Sequence, residues 1–297
     1  MNDTTRHPPL GMGSRLAAYA RLVRLDKPIG TLLLLWPTLW ALWLAGGGWP
    51  SVHVLAVFMA GTLLMRSAGC AVNDFADRDF DPHVERTRDR PLAARQIGSH
   101  EALLLAATLS LIAFALVLTL NWLTIALSFP ALFLAVSYPF TKRFFAMPQA
   151  YLGIAFGFGI PMGYAAIVGD VPMIAWVILL GKIAWTIAYD TEYAMVDRAD
   201  DLRIGIRTSA ILFGRYDIAA VAGFHAVFIA VMLGVGMHLR LAWPYYAGLV
   251  VAVALIAYQL AIIRQRRPAD CFHAFLNNNW VGAAIFAGIA LAFQLPR

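Results

Sequence analysis

Charge is scarce in this sequence. Of 297 residues, only 13% are Asp, Glu, Lys or Arg, while 61% are hydrophobic and the mean hydropathy is +0.69. A water-soluble domain carries roughly a quarter charged residues, so this chain cannot cover its apolar surface with a polar shell, and its remaining solvent is lipid. Cysteine is nearly absent. Cys70 and Cys271 alone fit no metal-binding spacing and imply no disulfide framework. Period-2 alternation is missing too, which argues against barrel strands. Lipid forces the backbone to satisfy itself internally, so the apolar segments, about 18–22 residues each, read as helices.

Nine such segments are predicted, at 28–46, 51–72, 101–120, 122–140, 147–168, 172–189, 217–238, 243–263 and 272–294. The expected fold is all-α, a polytopic membrane bundle of nine transmembrane helices. Residues 1–20 read as a polar N-terminal tail and 21–297 as a single intramembrane domain. Residues 1–27 are polar and carry five basic residues, which predicts no cleavable signal peptide. Five polar stretches on one side (the N-terminus, 73–100, 141–146, 190–216 and 264–271) hold 19 of the 23 Lys and Arg residues. Basic loops stay inside, which puts the N-terminus in the cytoplasm and the C-terminus on the periplasmic side. The net charge of +6 is spent on this orientation rather than on nucleic acid. Nothing in the sequence specifies an oligomeric state.

The outer connections are short, so neighbouring helices should pair as antiparallel hairpins. The inner loops 73–100 and 190–216 are long, and in so economical a chain they are the natural place for chemistry. They also repeat. The second span ends in Asn73-Asp74-x-x-Asp77-x-x-x-Asp81, and the sixth ends in Asp190-x-x-Tyr193-x-x-x-Asp197-x-x-x-Asp201. Asp77/Asp81 and Asp197/Asp201 lie 120 residues apart, and an Arg-Thr pair follows each cluster. Two four-helix halves plus one extra helix would account for that spacing. On helices continuing past the membrane surface, each set stacks on one face. Like charges at i, i+4 repel, so the stripes make sense around hard divalent cations, and magnesium bridges carboxylates to substrate phosphates. Asn73, Asp74, Asp77, Asp81, Asp190, Asp197 and Asp201 are the candidate metal ligands. Asp77, Asp190 and Asp197 carry the catalytic assignment. Asp190 lies nearest the hydrocarbon, where it could orient an acceptor or take a proton.

Arg, Lys and Mg2+ stabilise the charge that develops on a departing diphosphate. Lys142 and Arg143, held close to the bundle by a short loop, are the favoured protein cations, with Arg86, Arg88, Arg90, Arg203 and Arg207 as further candidates. Each could equally be an ordinary positive-inside anchor. Two charges lie inside spans. Arg66 and Lys182 each sit eight residues, roughly 12 Å along a helix, before Asp74 and Asp190. Arg66 could clamp a carboxylate; Lys182 could snorkel. Gly157, Gly159 and Gly163 should permit close helix approach or a kink. Asn277-Asn278-Asn279 suggests a helix cap or interhelical hydrogen bonds.

These residues resemble a known family. The first cluster, followed by Arg86-Thr87-x-Asp89-Arg90-Pro91-Leu92, is similar to the first aspartate-rich motif of the UbiA-type intramembrane aromatic prenyltransferases. Tyr189-Asp190-Thr-x-Tyr193-Ala-Met-Val-Asp197-Arg-x-Asp200-Asp201 resembles the second. Arg24-Leu-Asp-Lys27-Pro28-Ile-Gly30-Thr31, running on to Trp36-Pro37, looks like the bacterial 4-hydroxybenzoate polyprenyltransferases of ubiquinone biosynthesis. The resemblance covers about residue 20 to the C-terminus. It implies nine helices around a cavity, Mg2+ dependence, a polyprenyl diphosphate donor and a 4-hydroxybenzoate acceptor prenylated meta to its carboxylate. It also implies a multi-pass protein of the bacterial inner membrane, its site facing the cytoplasm, with lipid around its substrate and product. Asn73, Arg66, Lys142 and Arg143 become the substrate-binding candidates. Two rivals remain: a prenyltransferase with another acceptor, and a transporter, whose site belongs near the bilayer midplane rather than at one surface.

Overall fold

A computed structural model describes residues 12–141 and 143–295. Among them, nine helices are long and apolar enough to cross a membrane, in the order the hydropathy predicts. Helix α1 (Met12–Leu22) falls largely within the stretch read as a polar tail, and buries Ala18 and Leu22. The spans are α2 (Ile29–Gly46), α3 (Val52–Ala76), α4 (Ser99–Val117), α5 (Trp122–Thr141), the pair α6 (Pro148–Gly157) and α7 (Gly159–Val168), and α8 (Met173–Ile204). After them come the short α9 (Ser209–Phe213) leading into α10 (Asp217–His238), then α11 (Trp243–Ile262) and α12 (Pro268–Ala292). The α2–α3 and α7–α8 turns are tight. Gly47 and Gly169 end their helices at φ +63° and +72°, a region open to glycine.

The fifth span breaks at Phe158 because Pro161 cannot donate to the carbonyl of Gly157. The break turns two pairs of small residues toward two partners. A Cβ at Gly153 would lie 2.9 Å from Ile183 Cα on α8, and one at Gly159 would strike Thr38 on α2. Both expectations for this stretch, close approach and a kink, are met.

Packing is lopsided. One dense core joins α2, α7, α8, α10, α11 and α12 around Trp40, Trp185, Phe228 and Tyr245, all fully buried. Over its most apolar stretch α8 is 61% buried, whereas α4 and α5 are only 17% and 11% buried. The latter two are therefore a thin wall, and the space between wall and core is open.

Three consecutive asparagines fix α12 within the dense half. Successive helix positions point about 100° apart. Asn277 Oδ1 accepts from Gln259 on α11 (2.9 Å), Asn278 Oδ1 from Trp185 on α8 (2.8 Å) and Asn279 Oδ1 from Trp36 on α2 (2.8 Å). At the end of the bundle where α10 begins, fully buried Asp217 receives Arg198 (3.0 Å) and Arg266 (2.6 Å), tying α8, α10 and the α11–α12 turn together. Arg24 reaches Asp74 at that same end, while Phe293 lies beside Gly48 at the other. The first and last spans thus open and close on opposite faces of the bundle.

Candidate active site

The two acidic motifs meet at one end of the bundle but are built differently. The second lies on α8, as expected, and that helix stops only at Gly205 (φ +72°) with Arg203 in its last turn. The first does not continue on a helix. Helix α3 ends at Ala76, Asp77 is its C-cap, and Asp81 begins a separate 3₁₀ turn. The expected single stripe of 73/74, 77 and 81 is therefore corrected. Pro82 has no N–H to extend the helix, and four acids crowd the negative end of the α3 dipole. Arg143 relieves part of that by donating to the Ala76 carbonyl (2.9 Å).

Arginines hold the two halves together. Arg24 donates both to Asp74 Oδ1 (2.7 Å) and to Asp74 Oδ2 (3.0 Å); Arg90 bridges Asp74 (3.1 Å) and Asp81 (2.9 Å). Arg86, from the first loop, grips Asp197 on α8 through Nε (2.9 Å) and Nη2 (2.5 Å), its guanidinium lying 4.5 Å above the Tyr193 ring. Asn73 donates to Asp77 (3.2 Å). Burial pushes the Asp81 carboxyl above its ordinary range, while Arg90 opposes that shift. Burial also disfavours the Arg90 charge, but Asp74 and Asp81 outweigh it and hold the guanidinium above its usual value.

This acidic and basic rim opens into a cavity of about 1350 Å³. Asn73, Asp74, Asp190, Arg24, Arg86 and Arg90 line its mouth, and Arg66 lies deeper. Beyond Arg66 the walls are apolar, with Leu33, Phe58, Met65, Phe114, Phe129 and Met162 reaching toward the opposite end of the bundle. Asp77, Asp81, Asp197 and Asp201 stand behind or beside the mouth rather than in its lining. Arg143 also stays outside it, between the Phe80 and Phe140 rings, and Lys142 lies outside the described residues. Lys182 neither snorkels nor reaches the cavity. It is fully buried, donating to Thr186 and Tyr189 at 2.9 Å each.

Among the described residues, no three Asp, Glu, His or Cys side chains converge as a ready metal cage. Magnesium does not require one, because it takes one or two carboxylates and fills its shell with water and substrate phosphate. Hard oxygens in pairs, with Asn73 against Asp77 and Asp74 sharing Arg90 with Asp81, fit such a cation. Sequence reasoning missed Arg24, whose signal was its place in the Arg24-Leu-Asp-Lys27 stretch, and Glu192. The latter is fully buried on α8, bonded to Asn278 (2.9 Å), with His225 3.9 Å away. No spacing marks it.

With the two motifs bridged at the mouth of an apolar cavity, comparison with known proteins decides the family. The UbiA prenyltransferase family matches residues 34–292. The chain belongs to that family. A 4-hydroxybenzoate octaprenyltransferase of Azoarcus sp. (strain BH72) is 64% identical over 284 residues, 96% of this chain and 99% of the relative. The apo structure of a UbiA homolog from Aeropyrum pernix K1 superposes with a TM-score of 0.78 at 25% identity, covering 90% of this chain and 98% of that one. A UbiA homolog from Archaeoglobus fulgidus, bound to GPP and Mg2+, shares the fold with a TM-score of 0.71 at 17% identity, over 94% and 100% of the two chains. The UbiA fold thus accounts for the nine helices and the multi-pass membrane character.

Proposed function

We propose that this protein transfers a polyprenyl group, octaprenyl by analogy with its relatives, from the diphosphate to 4-hydroxybenzoate in ubiquinone biosynthesis. The transfer is Mg2+-dependent and takes place at the cytoplasmic face of a bacterial inner membrane. The N-terminus is cytoplasmic and the C-terminus periplasmic, on the strength of the basic inner loops. One observation carries the reading: a charged mouth joins both aspartate motifs above a long apolar cavity, with a lone guanidinium between the two zones. Such a cavity suits a molecule with a phosphorylated head and a hydrocarbon tail.

Asn73, Asp74, Asp77 and Asp81, with Asp190, Asp197 and Asp201 opposite, would hold the metal. When bound, Mg2+ neutralises charge on the diphosphate and eases its departure. Arg24, Arg86 and Arg90 orient the diphosphate oxygens, and the sequence offers Lys142 as a further cation. Arg143 steadies the end of α3. The allylic C–O bond breaks with its electron pair leaving on diphosphate, and the apolar walls keep water from the allylic cation. The ring carbon ortho to the hydroxyl and meta to the carboxylate attacks, and the ring proton departs. Asp190, at the mouth, orients the phenol or accepts a proton. Arg66 holds the acceptor's carboxylate. It lies seven residues before Asn73, about 10 Å down α3, a distance a hydroxybenzoate can span. Its Nε is buried without a partner.

The test is purified protein in detergent, stripped with chelator, given 4-hydroxybenzoate, geranyl or octaprenyl diphosphate, and then Mg2+. Prenylated product should appear only with metal and without any ion gradient. Product with homogentisate or a naphthoate, and none with 4-hydroxybenzoate, would reassign the acceptor. Arg66→Ala should raise the acceptor KM about 10–100-fold, the worth of a charged hydrogen-bonded pair, with donor KM unchanged. Equal losses for both substrates would remove the clamp.

A further inference from the structure

Gly30 stands in the first turn of α2, the second residue of that helix. Its backbone does not need glycine, since it is not among the positive-φ positions. Space does. A Cβ built at Gly30 would lie 2.7 Å from Arg66 Nε and 2.9 Å from Arg66 Cζ, and would strike Nη2 as well. The guanidinium of Arg66, reaching across from α3, therefore occupies the volume that any side chain at position 30 would take. Little else holds it there. Arg66 Nη1 donates to Cys70 Sγ, one turn along α3 and a weak acceptor, and Nε has no partner. Gly30, Arg66 and Cys70 all line the cavity.

We infer that Gly30 is a positioning residue for the acceptor. By presenting bare backbone, α2 provides the space in which the Arg66 guanidinium sits at the cavity wall. A side chain there would tilt or withdraw the guanidinium and misplace the acceptor ring relative to the allylic carbon. A misplacement near 1 Å at a reacting centre is enough to matter. The inference rests on the reading of Arg66 as the carboxylate clamp, and adds that acceptor selectivity is written partly in α2, by an absent side chain.

Four proteins assayed for both KM values make the test: the parent, Gly30→Ala, Arg66→Ala and the double variant. Gly30→Ala should raise the acceptor KM about tenfold or more while leaving the donor KM in place. On the Arg66→Ala background it should add nothing, because the two act through one group. If Arg66→Ala leaves the acceptor KM alone, the clamp reading fails first. If Arg66→Ala raises it but Gly30→Ala does not, or the two effects multiply, the clamp stands and the positioning role of Gly30 is overturned. Should Gly30→Ala fail to fold, recovery of folding in the double variant would identify the clash with Arg66. Failure of both would refute it.

Discussion

Asp77→Asn and Asp197→Asn should each lower prenyl transfer about 100- to 1000-fold, the usual loss when one group stabilising developing charge is removed. Asparagine keeps the size and much of the hydrogen bonding, so the loss reports charge. Asp77 caps α3 beside Asn73, and Asp197 lies two turns from Asp190 on α8, gripped by Arg86. Under the proposed chemistry both variants should stay impaired across a Mg2+ titration, with a shifted metal requirement. Near-parental turnover of both would detach the motifs from the reaction. Retention of the Arg86 grip is not enough to restore activity to Asp197→Asn, because a neutral amide cannot bind the metal as a carboxylate does.

The largest effect on stability should come from Asn278→Ala. Its side chain accepts from Trp185 and donates to Glu192, a carboxylate buried among α8, α10 and α12 whose other oxygen already lacks a hydrogen-bond partner. Removing it leaves an indole N–H and a buried acid unsatisfied, at a cost of about 3 kcal/mol or more. Its neighbours differ in a useful way. Asn277→Ala and Asn279→Ala each forfeit one neutral interhelical bond, worth about 0.6 kcal/mol inside a membrane. Thermal unfolding in detergent should therefore separate one large loss from two small ones, and Glu192→Gln should soften the loss at 278. Three equal shifts would mean that the asparagines act only through packing.

The nine spans were legible because lipid leaves few choices: a run of about twenty apolar residues must be helix. The charge clusters were legible because an acid beside hydrocarbon needs a reason. The failures have equally physical causes. Hydropathy could not see that α3 would stop at Ala76, since helix continuation there is decided by Pro82 and by four acids at a dipole's negative end. Lys182 looked like Arg66 in sequence, yet side chains on α8 receive its ammonium while Arg66 lines the cavity. Glu192 was invisible because its partners lie 33 and 86 positions away, on α10 and α12. The arginine pairings crossed from loop to helix, a distance that no periodicity encodes.

The length of α8 has a consequence for where the donor must sit. Its 32 residues extend about 48 Å, against a hydrocarbon layer roughly 30 Å deep. Measured from Met173, Asp190 stands at about 26 Å and Asp197 at about 36 Å. With the hydrocarbon layer taken to begin level with Met173, its far boundary would fall between them. Under the proposed chemistry, a donor lying along this helix would keep its ionic head at headgroup level while its hydrocarbon tail and the bond being exchanged lie in the oily layer.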